Sequence, residues 1–328
     1  MAVEYVGRRP GATGKIVCLL GLAGALAIML TVACGGGPRH QDPPQLEFAK
    51  QSAAQGSYWF RRGCLKRAER HFSKALEASI LRDDLEGMIR ALNNLGVVAM
   101  SQGRYQEAGE HLNKALEFNV ILASNSEQSL ALGNLGSLAY KVGRPEEAEE
   151  LWTEALTVAE EDSSHMGLAL QLNNLGMLRR KQGRLDEARL MLSRALDAGK
   201  EDGQGPTLAN TYLQLGLVAQ AQGDFAAAEE NLSKALEMDR AVENPLGIAR
   251  DLKELGLLHQ KQKLWQQAFR EFDRSINLYA AIGKTQKVHQ LYELLRATKD
   301  GGGLPESLEP YERLLAPPDG AWESPLCR

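Results

Sequence analysis

The chain is short of most of what an active site is built from. It has six histidines and four cysteines in 328 residues. No two histidines stand four apart with a glutamate between them, no CxxC occurs, and no phosphate-binding glycine loop is present. Those absences remove the commonest zinc, dithiol and nucleotide sites. Basic charge is scarce too: 38 lysines and arginines stand against 42 acids, a formal net charge of −4. General nucleic-acid binding needs a basic surface and is therefore not expected. At 44% hydrophobic and 24% charged, the composition is that of an ordinary soluble protein outside one N-terminal run.

What is there is a repeat. Asn93-Asn94-Leu95-Gly96, followed by Gly103-Arg104-Tyr105, Ala108, Leu112 and Ala115-Leu116, recurs every 40 residues. One glycine series runs Gly56, Gly96, Gly136, Gly176, Gly216, Gly256. A second runs Gly63, Gly103, Gly143, Gly183, Gly223, with Lys263 closing it. A small residue follows at Ala68, Ala108, Ala148, Ala188, Ala228 and Ala268, then a large apolar one at Phe72, Leu112, Trp152, Leu192, Leu232 and Phe272. A fixed period of this size in constant register means a stacked array. Leu92, Leu95, Gly96 and Ala99 lie on one helical face, and Ala108, Leu112, Ala115 and Leu116 on another. Gly103 falls between them, where a helix ends in a left-handed residue. Arg144-Pro145-Glu146-Glu147 starts the second helix of copy three, with proline at the first helical position and acids at the positive dipole end. Each copy is helix, tight turn, helix. Gly96 and Ala108 are small so that the two helices can approach closely.

Leu95-Gly96, Ala99, Ala108, Leu112 and Ala115 resemble the signature of the tetratricopeptide repeat family, over residues 46–283. The family period is usually about 34 residues, so the helices or the links are longer here, and the proline that usually closes the second helix is absent at Val120. Repeats of this length are similar to those of kinesin light chains and related adaptors. The resemblance implies an all-α solenoid, a right-handed superhelix of six helix-turn-helix copies whose first helices line a concave groove for a peptide or partner helix. It implies no catalytic residue, cofactor, metal or small-molecule substrate. His71 and His111 occupy the same place in successive copies, which makes them structural. Leu112, Trp152 and Phe272 likewise belong to the core.

Arg8, Arg9 and Lys15 precede an uninterrupted apolar run from Ile16 to Ala33, then Cys34 and three glycines. This is the plan of a secretory signal peptide over residues 1–33. Small residues before Cys34 resemble the bacterial lipobox, in which the cysteine carries the lipid. The expectation is a lipoprotein of the bacterial cell envelope, attached through Cys34, with Gly35 rather than aspartate favouring the outer membrane. An uncleaved spanning anchor and ordinary cleavage are the alternatives. Without residues 1–33 the chain has 35 basic and 41 acidic residues, net −6. Residues 34–45 read as the lipidated end and a flexible tether. Polar breaks at Asp83-Asp84, Ser124-Asn125, Asp162-Ser163, Gly203 to Pro206 and Asn244-Pro245 offer caps for the next helix. Residues 284–299, carrying Val288, Leu291, Leu294 and Leu295, form a terminal capping helix. Residues 300–328, with three consecutive glycines and five prolines, are expected to be mostly disordered, with a turn of helix or docking segment at Tyr311 to Leu315. Cys64 and Cys327 are far apart in sequence. They either pair in an oxidising compartment or stay free, and free thiols are the expectation.

Two series mark the groove. Asn93, Asn94, Asn134, Asn173, Asn174 and Gln214 form an amide ladder. Carboxamides donate and accept, so they either hold a peptide backbone or bond the neighbouring copy. Arg61, Lys141, Lys181 and Lys261 stand five after the packing glycine, with Arg180 beside Lys181, while Lys50, Arg90 and Arg250 stand six before it. They either form a basic lining for an acidic peptide or carboxylate, or complement helix C-termini.

Overall fold

The computed structural model describes residues 44–161, 165–202, 205–315 and 327. They belong to one compact unit, Asp42–Arg328. The expected leader, Cys34 and tether residues up to 43 lie outside them, as do the breaks at 162–164 and 203–204. Among the described residues there are fourteen helices and no strand. Six pairs come first: α1 (Pro44–Arg61) with α2 (Leu65–Ile80), α3 (Leu85–Ser101) with α4 (Tyr105–Leu122), α5 (Asn125–Lys141) with α6 (Pro145–Glu161), α7 (His165–Lys181) with α8 (Leu185–Asp202), α9 (Gly205–Gln222) with α10 (Phe225–Ala241), and α11 (Pro245–Lys261) with α12 (Trp265–Ala281). Then follow α13 (Thr285–Gly302) and α14 (Glu309–Leu315).

The 40-residue period is two 20-residue steps. From α1 to α12 the helices run 16 to 18 residues. Turns inside pairs and links between pairs both carry a positive-φ residue, at Gly63, Asp83, Gly103, Ala123, Gly143, Gly183, Gly223, Glu243, Lys263 and Gly283. Lys263 adopts φ 61° where its counterparts are glycine, a conformation that crowds its Cβ. Side-chain caps secure several starts: Asp84 accepts from the Gly87 amide, Ser124 from Glu127 and Asn244 from Gly247. Pro245 opens α11 where its missing N–H costs nothing.

The packing glycine and the large apolar residue sixteen positions later are one contact. A methyl on Gly56, Gly96, Gly136, Gly176, Gly216 or Gly256 would come within 2.5–2.8 Å of Phe72, Leu112, Trp152, Leu192, Leu232 or Phe272. Trp152 also donates its indole N–H to the Gly133 carbonyl, 3.0 Å away. Each second helix therefore seats its largest side chain on bare backbone of the first, which sets the spacing within the pair.

Successive first helices touch, α3 with α5, α5 with α7 and α7 with α9, while successive second helices meet little. The first helices therefore form the inner wall of the winding. That winding returns upon itself. The turn between α1 and α2 lies against the links α10–α11 and α12–α13: a Cβ on Gly63 would be 3.6 Å from Ile282, and Arg62 stands 3.9 Å from Glu243. The first copy is stacked on the fifth and sixth. Cys64, at the start of α2, is joined to Cys327 by a disulfide, so the expectation of two free thiols is corrected. No property of either sequence neighbourhood could announce the pairing, because stacking between turns of the superhelix brings the first copy down to the C-terminal end.

In the C-terminal segment α13 reaches Gly302, past the expected end at 299, and α14 includes Tyr311 to Leu315, the stretch expected to form a turn of helix or a docking segment. Tyr311 stacks edge-on against Phe269, with ring centroids 6.3 Å apart, and donates its hydroxyl to Asp273 at 2.9 Å. Leu304, Leu308, Leu314 and Leu315 cover the end of the core around Phe272, Ile276 and Leu291. Spaced leucines and one tyrosine outweigh the local glycine and proline content once an exposed array end needs covering.

Candidate inner-wall binding site

Counting from each packing glycine, positions −6, −2, +1 and +5 share one helical stripe. In copies two to six nearly all of these residues are half-buried or exposed, with Gln214 the buried exception, whereas the flanking positions are closed by packing. The stripe faces the inner space because the first helices form the inner wall. Position −2 carries Asn94, Asn134, Asn174, Gln214 and then Glu254. Position +5 carries Ser101, Lys141, Lys181, Ala221 and Lys261, all exposed.

The structure thus divides the amide series. Asn93 and Asn173, at position −3, are both buried, and Asn173 donates to the Thr211 hydroxyl of the next copy at 2.9 Å. Asn173 belongs to the array rather than to a ligand. Asn174 donates to Gln171 at 3.3 Å, and Gln171 donates to the Ser129 carbonyl of the preceding copy at 3.2 Å. Asn94, Asn134, Asn174 and Gln214 remain on the inner side of the same helices.

The basic residues divide as well. Arg90 donates to buried Glu127 at 2.7 Å and also pairs with Glu86. Arg250 stands 3.6 Å from Asp239 and 3.5 Å from Asp251, both buried. These arginines thus pair with interior acids, while the Arg90 side chain stays 62% exposed. Glu127, Asp239 and Asp251 gave no sequence signal, since each lies on a face whose burial depends on the next copy. Burial and the neighbouring Asp239 push the Asp251 carboxyl up to about 8.

Copies three and four hold Lys141, Arg180 and Lys181. Lys181 places its ammonium 5.3 Å from the Tyr140 ring centroid. Arg180 is half-buried with its Nε unpartnered, and burial lowers its pKa although Glu254 faces it from copy six. Glu254 itself is 2.7 Å from Lys253. Lys284, at the start of α13, was not singled out by the repeat because it lies outside the first-helix stripe. Burial lowers its pKa, and the charge of Lys141 adds to the effect. Lys141, Arg180, Lys181 and Lys284 therefore make a locally positive inner surface on an acidic chain. Lys261 is exposed further along the stripe.

Histidine chemistry is absorbed by structure. His259 sits between Glu271, 3.1 Å from Nδ1, and Glu229, 2.9 Å from Nε2, joining α10, α11 and α12. Hydrogen bonding to Glu271 is the main cause of its raised pKa. Among the described residues no group of three histidines, cysteines or acids is placed to hold a metal ion.

No curated protein matches the sequence. Solved structures match by fold. A Rap protein complexed with Competence and Sporulation Factor aligns with a TM-score of 0.59 at 16% identity, over 73% of this chain and 66% of that one. A signal transduction ATPase with a tetratricopeptide repeat sensor, from Pyrococcus horikoshii, gives 0.59 at 13% identity, over 83% of this chain and 43% of that one. The apo form of RapI gives 0.54 at 16% identity, over 74% and 87%. The chain spans under half of the ATPase and just under two thirds of the first Rap structure. The tetratricopeptide repeat model matches residues 54–119, 127–201 and 207–281. With paired helices, packing glycines and an inner wall of first helices all in place over that same span, the chain belongs to the tetratricopeptide repeat family.

Proposed function

We propose that this chain is a lipid-anchored scaffold of the bacterial cell envelope, at the outer membrane, which binds an acidic peptide or partner segment along its inner wall. The fold itself is that of a protein–protein interaction scaffold. The observation that carries the finer reading is the inner surface of copies three and four. There Lys141, Arg180 and Lys181 share first helices with Asn134 and Asn174, Lys284 feels the charge of Lys141, and the facing Glu254 already has Lys253 as a partner. Amides serve a peptide backbone without reading its side chains, and the cations select acidic ones. The anchor rests on the apolar run and Cys34. No reaction is assigned to the chain; His259 and the buried acids Glu127, Asp239 and Asp251 lie in contacts that hold the helices. Assembly of a secretion, pilus or export machine is a role such a scaffold would fill. Peptide sensing, or support of a cell-wall enzyme, would use the same surface.

The test is the pair Lys141→Glu with Lys181→Glu, read by fluorescence anisotropy of a labelled oligo-glutamate peptide at low and high salt. Both lysines are exposed, so the melting temperature should stay unchanged. Affinity for the acidic probe should fall by about tenfold or more, and oligo-lysine should not bind the unsubstituted chain. Equal affinity for the acidic probe before and after charge reversal, with folding intact, would overturn the assignment.

A further inference from the structure

The links between pairs lie on one edge of the superhelix, since every second helix ends where the next first helix begins. The turns within pairs lie on the opposite edge. The linking edge changes character along the array. In copies five and six the turn of copy one lies over it beside Val242 and Ile282, and Ile282 is 3% exposed. Around the ends of the second helices, copies three to six carry Glu160-Glu161, Lys200-Glu201, Arg240-Ala241 and Ala280-Ala281. Copies one and two carry large apolar residues at these same positions, and they are open: Ile80 is 56% exposed, Leu81 77%, Val120 83% and Ile121 70%. Large apolar side chains exposed at equivalent positions of successive copies mark an interaction surface.

We propose that the edge formed by Ile80, Leu81, Val120 and Ile121 rests in the interfacial layer of the bilayer to which the chain is anchored. This inference builds on the anchored reading above. The chain enters the array at this same edge: Leu46 in the first turn of α1 lines one cleft with Ser79, Arg82 and Asp84. Nine residues lie between Cys34 and Pro44, so a lipid on Cys34 keeps the edge within about 35 Å of the membrane. A second protein is the weaker occupant. Four side chains at helix tips fall well short of the roughly 800 Å² per partner that a stable protein interface takes. A bilayer needs no complementary shape, and apolar tips entering the headgroup–acyl boundary add to the retention given by a single lipid anchor. The array would then stand with copies one and two on the membrane and its inner wall opening sideways.

The full chain carrying Leu81→Trp or Ile121→Trp is reconstituted into phosphatidylcholine vesicles with brominated acyl chains. Vesicle flotation reads the anchor, and the added tryptophan emission reads the edge. Leu190→Trp, exposed in the middle of α8, is the control. The expected result is flotation of all three variants, with quenching at positions 81 and 121 about twofold or more above that at 190. Flotation with equal quenching at all three positions overturns the edge proposal and leaves the anchor standing. Failure to float overturns the anchored reading and this proposal together. A concentration-dependent doubling of mass that Leu81→Asp with Ile121→Asp abolishes would assign the edge to a second copy instead, and would also overturn it.

Discussion

Adding one methyl group at either of two helical glycines should move stability in opposite directions. Gly176 is the packing glycine of copy four. A Cβ there would lie 2.8 Å from Cγ and 2.9 Å from Cδ2 of Leu192, which is fully buried, and 3.5 Å from the Ala188 carbonyl. Leu192 cannot swing into solvent, so α7 and α8 must separate. Overpacking of this kind costs about 1–3 kcal/mol, while alanine gains about 0.5–1 kcal/mol over glycine inside a helix. Gly176→Ala should therefore lose about 1–2 kcal/mol net. Gly109 lies in α4, where a Cβ would meet only Leu138 Cδ2 at 3.5 Å, an ordinary contact. Gly109→Ala should gain about 0.5–1 kcal/mol. Leu192→Ala alone should cost about 2–5 kcal/mol through its cavity. In Gly176→Ala combined with Leu192→Ala the new methyl occupies part of that cavity, so the combined loss should fall short of the sum by about 1 kcal/mol or more. Urea unfolding followed by circular dichroism at several wavelengths gives all four values. Equal stability of Gly176→Ala and the parent chain, or simple additivity with Leu192→Ala, would refute the claim that bare backbone at this position sets the helix spacing.

Lys263→Gly should raise the melting temperature by relieving a positive-φ lysine, a gain of about 1 kcal/mol measured by calorimetry. Asp251→Asn should stabilise the chain by about 1–3 kcal/mol at pH 8 and much less near pH 4. The sign follows from burial: the folded carboxyl titrates near 8 and the unfolded one near the usual carboxylate value, so stability drains away as pH rises between them, and a melting temperature of the parent chain that is flat across that range would contradict it. Reducing Cys64–Cys327, or replacing both with alanine, opens a cross-link spanning 263 residues of sequence and should cost about 2–4 kcal/mol. The urea midpoint with and without dithiothreitol measures this, and no shift would mean that the disulfide adds nothing to the closed winding.

The repeat could be read without coordinates because its causes are short-ranged. A glycine that admits Leu112 or Trp152, a turn residue at φ near +80°, and a cap such as Asp84 or Asn244 each act within one or two helices, and sixfold recurrence makes the pattern plain. That the first helices form the inner wall came with the family resemblance. The functional surface was only half legible. Asn173 and Asn174 are neighbours in sequence, yet a rotation of about 100° between them separates the joint with copy five from the inner space. Arg90 pairs with buried Glu127, and Arg250 with buried Asp239 and Asp251, contacts that the repeat pattern did not announce. Lys284 escaped notice because it comes from another element.

The sequence by itself determined the helix pairs, their 40-residue register, the residues that bring each pair close and the family to which they belong. The tertiary structure alone decided that the first copy lands on the fifth and sixth, that Cys64 meets Cys327, that α14 docks beside Phe269, and which apolar edge is left open. The physical reason is accumulation. Each joint between copies adds a small rotation and rise, and whether their sum brings distant copies into contact is a property of the whole winding, carried by no single repeat.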